Sequence, residues 1–421
     1  MKRPTPNAKS APAFIAVDFF CGAGGTTRGL IDAGGVVIAG VDKDDKCEDT
    51  YVKNNFNLPF SGEPPKFLQR DIFPEATEKE EDENGDLPNG GEQAKLIEEL
   101  AECIGSARDS YPSVPLFFAI CAPCQPFTTL SKSKMSDKRQ ANRHRDSSLL
   151  MEAAKIVEEF SPDIVLSENV RGIGDARYGG VWSEFRAELE RLGYVTGSEV
   201  VCTSRFGVPQ TRRRSILVGI RGDRIRPELL AEASENGLTL PVEDPDEPIR
   251  TVRETLKHLP ALEAGSNDPS IPNHRTRSLS ELNLRRISAS IPGASNGYMA
   301  HTPHGDLSLD CHRKVNAKFK QRCFNDVYTR MDPDKPSPTM TTKCHSISNG
   351  RFGHYDTSQN RGISLREAAL LQSFPEDYVF YPQHQLGPVA KMIGNAVPPK
   401  LAQFFASYAV DGLRDRPVEA S

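Results

Sequence analysis

The sequence predicts an α/β protein: a doubly wound, mostly parallel sheet with a smaller, irregular second domain. Three observations predict it. Short apolar runs alternate with helical patterns from residue 13 to 222, a glycine-rich turn follows the first run, and the alternation stops past Gly222 and returns only near Ile363. The first run, AFIAVDFF, ends at Cys21-Gly22-Ala23-Gly24-Gly25, and TTRGLIDAG behind it has helical spacing. VVIAGVD is a second buried run, ending on Asp42. A helix-like DKCEDTYVKNNF leads to Arg70-Asp71-Ile72, and EQAKLIEELAECI is a helix before the strand VPLFFAI. The rhythm continues with SSLLMEAAKIVEEF (helix), DIVLSENV (strand), VWSEFRAELERLG (helix), and the strands YVTGSEVVC and RRRSILVGIRG.

Residues 223–362 are rich in Pro, Ser, Asn, Arg and His and hold no long periodic helix, so they form the second domain. ISLREAALLQSF and PPKLAQFFASYAV then return the chain to the sheet, the latter with proline at a helix start. The expected layout is a tail over 1–12, a sheet domain over 13–222 with an acidic insert at 75–92, the irregular domain over 223–362, the return over 363–414, and a tail from 415.

Composition narrows the class. A chain of 421 residues suits one large domain and a smaller one. No run approaches the roughly 18–20 apolar residues of a membrane span, and the basic opening MKRPTPNAKSAPAF lacks an apolar signal core, so a soluble, cytoplasmic protein is expected. Nine scattered cysteines argue against a secreted disulfide framework. The net charge of −5 argues against a nucleic-acid partner, but residues 75–86 carry seven acids and one lysine, leaving the remainder at about +1. Arginines concentrate from Arg205 to Arg226 and from Arg275 onward, and the second group reads first as a solvated face.

Ligands of open parallel sheets bind beyond the carboxyl ends of the strands, and the unusual residues stand there. The Gly22–Gly25 turn allows close backbone approach at a helix N-terminus, although Thr27 occupies the place of the third glycine of a dinucleotide fingerprint. Asp42 is placed to accept from ribose hydroxyls or, more plainly, to cap the next helix. Asp71 ends the third strand, ICAPCQPF the fourth, and Glu168 of SENV the fifth. Cys121 and Cys124 could form a redox or metal pair, or one alone could be a nucleophile. In Gln210-Thr211-Arg212-Arg213-Arg214, alternation puts Gln210, Arg212 and Arg214 on one face, which makes a poor core and a good polar pocket.

Taken in order, DFFCGAGG, PCQPF, SENV, QTRRR, ISLREAALLQSFP and IGNAVPP resemble the cytosine-C5 DNA methyltransferase family over nearly all of Ala13 to Val410. The resemblance implies a Rossmann-like methyltransferase fold binding S-adenosylmethionine, with a target-recognition domain where the irregular region lies. It implies catalytic roles for Cys124, Glu168, Arg212 and Arg214. It also implies cofactor contacts from Phe20, Gly22, Gly24, Gly25, Asp42 (ribose), Asp71 (adenine), and Pro123, Leu149, Asn395 and Val397 (methionine part). No metal is expected. Ile120-Cys121-Ala122 departs from the family's usual glycines and crowds that loop.

The chemistry explains these residue types. Carbon 5 of cytosine is a poor nucleophile until a thiolate adds at carbon 6, and a thiol of pKa ~8.5 needs a positive or dipolar setting to ionise. Charge then moves toward N3 and O2, where Glu168 would hold a proton and Arg214 would assist, while Arg212 holds the arrangement. Loss of the C5 proton and of Cys124 completes the reaction. The base must be flipped out of the duplex, and Lys132, Lys134, Lys138, Arg139, Arg143 and Arg145 after Cys124 suit phosphate contact in a closing loop.

Duplex DNA is the expected partner, with a cognate restriction endonuclease or another defence component as candidates, and a monomer is expected. A transfer-RNA cytosine methyltransferase is the nearest rival, disfavoured by a recognition region of about 140 residues suited to major-groove reading. An oxidoreductase using Cys121 and Cys124 leaves Glu168, Arg212 and Arg214 unexplained. A catalytically silent relative would not keep every reactive position filled.

Overall fold

The computed structural model describes residues 11–74, 91–123, 148–174, 180–233, 237–311, 313–314 and 325–414. Its strands are β1 (Ile15–Phe19), β2 (Val36–Asp42), β3 (Lys66–Gln69), β4 (Leu116–Ile120), β5 (Ile164–Val170), β6 (Tyr194–Cys202), β7 (Gln210–Thr211), β8 (Arg213–Arg221) and β9 (Ser337–Pro338). Its principal helices are α1 (Gly25–Asp32), α2 (Glu48–Asn54), α3 (Gln93–Ser110), α4 (Leu149–Phe160), α5 (Val181–Arg191) and α6 (Pro227–Glu232), followed by α7 (Val252–Leu256), α8 (Glu281–Ser288), α9 (Leu365–Leu371), α10 (Leu386–Asn395) and α11 (Pro399–Asp411). None of them is long and apolar enough to cross a membrane.

The sheet of the first unit runs β3-β2-β1-β4-β5-β8-β6. Its first five strands are parallel, and β8 lies antiparallel between β5 and β6. Every residue of β1 and β4 is buried, as continuous apolar runs covered on both faces must be. The order reverses between β1 and β4, which pair in register from Ile15↔Leu116 to Phe19↔Ile120. A ligand crevice therefore belongs just beyond Phe19 and Ile120. Gly29 of α1 lets α11 approach closely, since a Cβ there would meet the Pro399 carbonyl and lie 2.6 Å from Ala402 Cβ. Gly40 of β2 likewise leaves room for the Tyr51 ring.

The chain divides differently from the expected layout. One compact unit takes residues up to Cys202, Arg213–Asp244 and Pro399 onward; the other takes Thr203–Arg212 and Pro245–Pro398. Residues beyond 222 stay with the sheet because Arg226 N–H donates to the Gly412 carbonyl and Leu238 N–H to that of Thr196. Conversely, α9 joins the irregular unit, where Arg366 donates to the carbonyls of Pro272 and Tyr378.

That second unit has little regular structure, so its buried carbonyls need side-chain donors. Arginines supply them. Fully buried Arg330 donates to the carbonyls of Ile287, His354, Asp356 and Gln359 and to Asn360 Oδ1. Buried Arg361 grips Glu367 in a bidentate pair, holding that carboxyl down at about 2 despite its burial. The arginines from 275 onward are not simply a solvated face, because Arg286 is buried, donates to the Leu307 carbonyl and lies 5.0 Å from the Tyr328 ring.

Candidate active site

The first strand exit is built by backbone geometry that side chains lock in place. Phe20, Gly22 and Gly24 all have positive φ, at 59°, 50° and 85°. Phe20 alone bears a side-chain penalty there, a strain that persists only where the surroundings enforce it. The Gly22 N–H donates to Asp42 Oδ2 at 2.9 Å, and the Asp44 N–H donates to Asp42 Oδ1 at 2.9 Å. Asp42 thus braces the turn at Asp44 and also reaches across to fix the glycine turn; the plainer expectation is not met, because the next short helix, Asp45–Cys47, is capped by Asp44, whose side chain accepts from the Lys46 N–H. Burial raises its pKa in spite of these two donors. Gly25 opens α1 and is buried, and Asp71 lies two residues past β3 with Oδ1 accepting from the Phe73 N–H at 3.3 Å.

Thr27 has a reason not to be glycine. Its N–H and hydroxyl both donate to Asp18 Oδ2, at 3.0 and 2.6 Å, and the hydroxyl lies 3.0 Å from Tyr51 Oη. Asp18 is fully buried, and burial lifts its carboxyl to about 7 although the Thr27 donors oppose the rise. Sequence reasoning quoted Asp18 without giving it this work; its only signal was a carboxylate inside an otherwise apolar strand.

At the next exits, β5 pins the chain that leaves β4. Ser167 Oγ donates to the Ile120 carbonyl at 2.5 Å, and Asn169 Nδ2 donates to that of Ala122 at 3.0 Å. These buried side chains fix the backbone through Pro123 and were not singled out from sequence. Cys121 is pushed well above the ordinary thiol range by burial, with the Glu168 and Asp18 carboxylates adding to the rise. Its Sγ lies 3.9 Å from Thr26 Oγ1. Such a thiol is a poor nucleophile and a poor redox partner.

Glu168 points to Arg214. Arg214 stands opposite Val170 across the β5–β8 ladder, two residues from Glu168 on the same face. Its Nε lies 2.7 Å from Glu168 Oε1, with the two side chains 10% and 11% exposed. The N–H does not aim at that oxygen, so among the described residues Oε1 gains charge attraction without an in-line hydrogen bond. The carboxyl retains capacity to bond to a further group.

The remaining expectations fall as follows. Leu149 is buried as the first residue of α4. Gln210, Arg212 and Arg214 are buried while Thr211 and Arg213 are exposed, the alternation the sequence implied. Arg212 belongs to the second unit, where its Nη1 donates to the carbonyls of Met340 and Gly394. Asn395, exposed, and Val397, buried, belong to that unit as well. Cys124, the basic segment after it and most of the acidic insert lie outside the described residues.

The reversal of strand order between β1 and β4, with a carboxylate-locked glycine turn at its edge, defines a Rossmann-like α/β protein. Solved structures share the architecture: the Entamoeba histolytica methyltransferase EhMeth covers 94% of this chain and 98% of its own, at TM-score 0.55 and 12% identity. The S. pombe Dnmt2 methyltransferase covers 94% and 98%, at TM-score 0.51 and 14% identity. At the sequence level, the family model for C-5 cytosine-specific DNA methylases matches residues 105–409. The Type II methylase M.HgiDII of Herpetosiphon aurantiacus is 34% identical over 95% of this chain and 97% of its own length. The chain belongs to the C-5 cytosine-specific DNA methylase family and is a DNA cytosine-5 methyltransferase.

Proposed function

We propose that this chain methylates carbon 5 of a flipped-out cytosine within a specific duplex sequence, with S-adenosylmethionine as donor and a transient thioether from Cys124 to carbon 6. The observation that carries the reading is the Glu168–Arg214 pair near the end of β5, beside the Ser167 and Asn169 bonds that hold the Ile120 and Ala122 carbonyls.

The residues present fit the cofactor. The left-handed turn at Gly22 exposes backbone without a Cβ obstacle, and Asp42 has both oxygens on N–H donors with lone pairs left for hydroxyls. Phe20, Gly22, Gly24, Gly25, Asp42 and Asp71 would hold the nucleoside, and Pro123, Leu149, Asn395 and Val397 the amino-acid part. S-adenosylmethionine supplies an electrophilic methyl group when bound.

The chain's own groups do the rest. Cys124 as thiolate adds to carbon 6, and the electron pair released along the ring reaches N3, where Glu168 holds a proton. Arg214 orients Glu168 and adds positive charge where the ring becomes electron-rich. Arg212 acts through the Met340 and Gly394 backbone rather than on the base. After methylation, a base from solvent takes the C5 proton, the C5–H electron pair becomes the C5–C6 double bond as Cys124 leaves carbon 6 as thiolate, and the N3 proton returns to Glu168.

The name of the Herpetosiphon relative, a Type II methylase, supports a place as the modification half of a type II restriction–modification pair; a cognate endonuclease as partner and a monomeric methylase complete the proposal. Expression in a host without cytosine methylation, followed by bisulfite sequencing, tests the function. A single protected motif is expected; unmethylated DNA despite folded protein would overturn it.

A further inference from the structure

We infer that Gln210 and Gln372 form a buried polar relay that positions the turn carrying Asn395 and Val397, making both glutamines positioning residues for cofactor binding. The inference rests on the cofactor reading above. Both side chains have no solvent exposure, and both belong to the second unit.

The relay has a direction. Gln210 Oε1 accepts from the Met340 N–H at 2.8 Å, and Gln210 Nε2 donates to Gln372 Oε1 at 2.5 Å and to the Leu371 carbonyl at 3.2 Å. Gln372 Nε2 then donates to the carbonyls of Ile393, at 2.6 Å, and Ala396, at 3.3 Å. Each amide uses its oxygen once and its nitrogen twice. Flipping either one would set donor against donor or acceptor against acceptor, so only one arrangement satisfies all the partners.

The two carbonyls held by Gln372 bracket Asn395, which ends α10. Arg212 bridges the same two segments through the Met340 and Gly394 carbonyls. The packing is also tight, since a Cβ on Gly394 would run into the Thr341 and Thr342 backbone. Helix α10 closes with the Ala396 N–H on the Met392 carbonyl, and the buried Gln372 amide ties the turn to the rest of the unit. A buried glutamine facing only carbon would be costly, and here every polar atom of the pair is used.

The test uses the full chain, titrated with S-adenosylmethionine by calorimetry. Gln372→Met should weaken binding about tenfold and raise KM for the cofactor more than it lowers kcat. Gln210→Met/Gln372→Met should regain part of the thermal stability, because two apolar groups face each other, yet stay weak for the cofactor. This double variant also serves if the single one does not fold. Cofactor affinity that returns with stability, a Gln372→Met protein that binds like the wild type, or a double variant unable to fold would each make the pair merely structural and overturn the inference. Wild-type protein that fails to bind S-adenosylmethionine would instead count against the functional reading.

Discussion

Replacing Glu168 with glutamine removes one charge and changes almost no volume, so its consequences separate catalysis from packing. In the folded protein Arg214 would lose the carboxylate 2.7 Å from its Nε while keeping its bond to the Arg213 carbonyl. Breaking a fully buried pair costs ~3–5 kcal/mol. Here both partners keep about a tenth of their surface in water, and an amide oxygen still accepts, so roughly 1–2 kcal/mol is the reasonable loss of stability. The loss of a carboxyl that can carry a proton to and from N3 is larger in rate, at about 10²–10⁴-fold, or ~3–5 kcal/mol of barrier. Urea unfolding and single-turnover transfer of a labelled methyl group to duplex DNA measure the two quantities on one preparation. Folded Glu168→Gln protein is expected to show a modest shift in midpoint and a collapse of the chemical step. If the midpoint falls while single-turnover rate stays within about threefold, Glu168 only braces Arg214 and the proposed role is refuted.

Two further perturbations probe the scaffold beneath the site. Asp18 has a folded-state pKa of about 7 against an ordinary 3.8, so the native state holds the proton more tightly, and this group's contribution to stability falls as pH rises from about 4 through 7. Asp18→Asn should therefore gain stability relative to wild type between pH 5 and 8 in urea titrations, and a constant difference across that range would refute the buried protonation. Gly29→Ala should lose about 1–3 kcal/mol by calorimetric melting, because overpacking against Pro399, Ala402 and Gln403 backbone exceeds the helix gain of up to ~1 kcal/mol; unchanged or raised stability would contradict the close α1–α11 approach.

Much of the first unit was legible because its physics is written locally. Ile15–Phe19 and Leu116–Ile120 are buried throughout, and a glycine turn after an apolar run leaves few choices of backbone. The same logic put Asp42, Asp71 and Glu168 at strand ends; Asp42 closes β2, whereas Asp71 lies two residues past β3 and Glu168 two residues inside the end of β5. What stayed hidden depends on distant partners. Ser167, Asn169, Gln210 and Gln372 are polar residues whose default is the surface, and only the fold reveals the carbonyls they meet. Arg330 and Arg361 sit among residues that read as loop, yet they are the core of the second unit. The domain edges near 222 and 363 shifted for a similar reason: hydrogen bonds such as Leu238 to Thr196, rather than composition, decide which unit a segment joins.

The central claim is that Cys124 alone attacks the base, with Cys121 a half-buried, unreactive neighbour. A duplex carrying 5-fluorocytosine at the methylated position tests it, since fluorine cannot leave as the C5 proton does and the thioether persists. Incubated with S-adenosylmethionine and examined by denaturing mass spectrometry, wild type and Cys121→Ala should each show protein covalently joined to DNA, and Cys124→Ala none. Adduct from Cys124→Ala, or its loss from folded Cys121→Ala, would contradict the account.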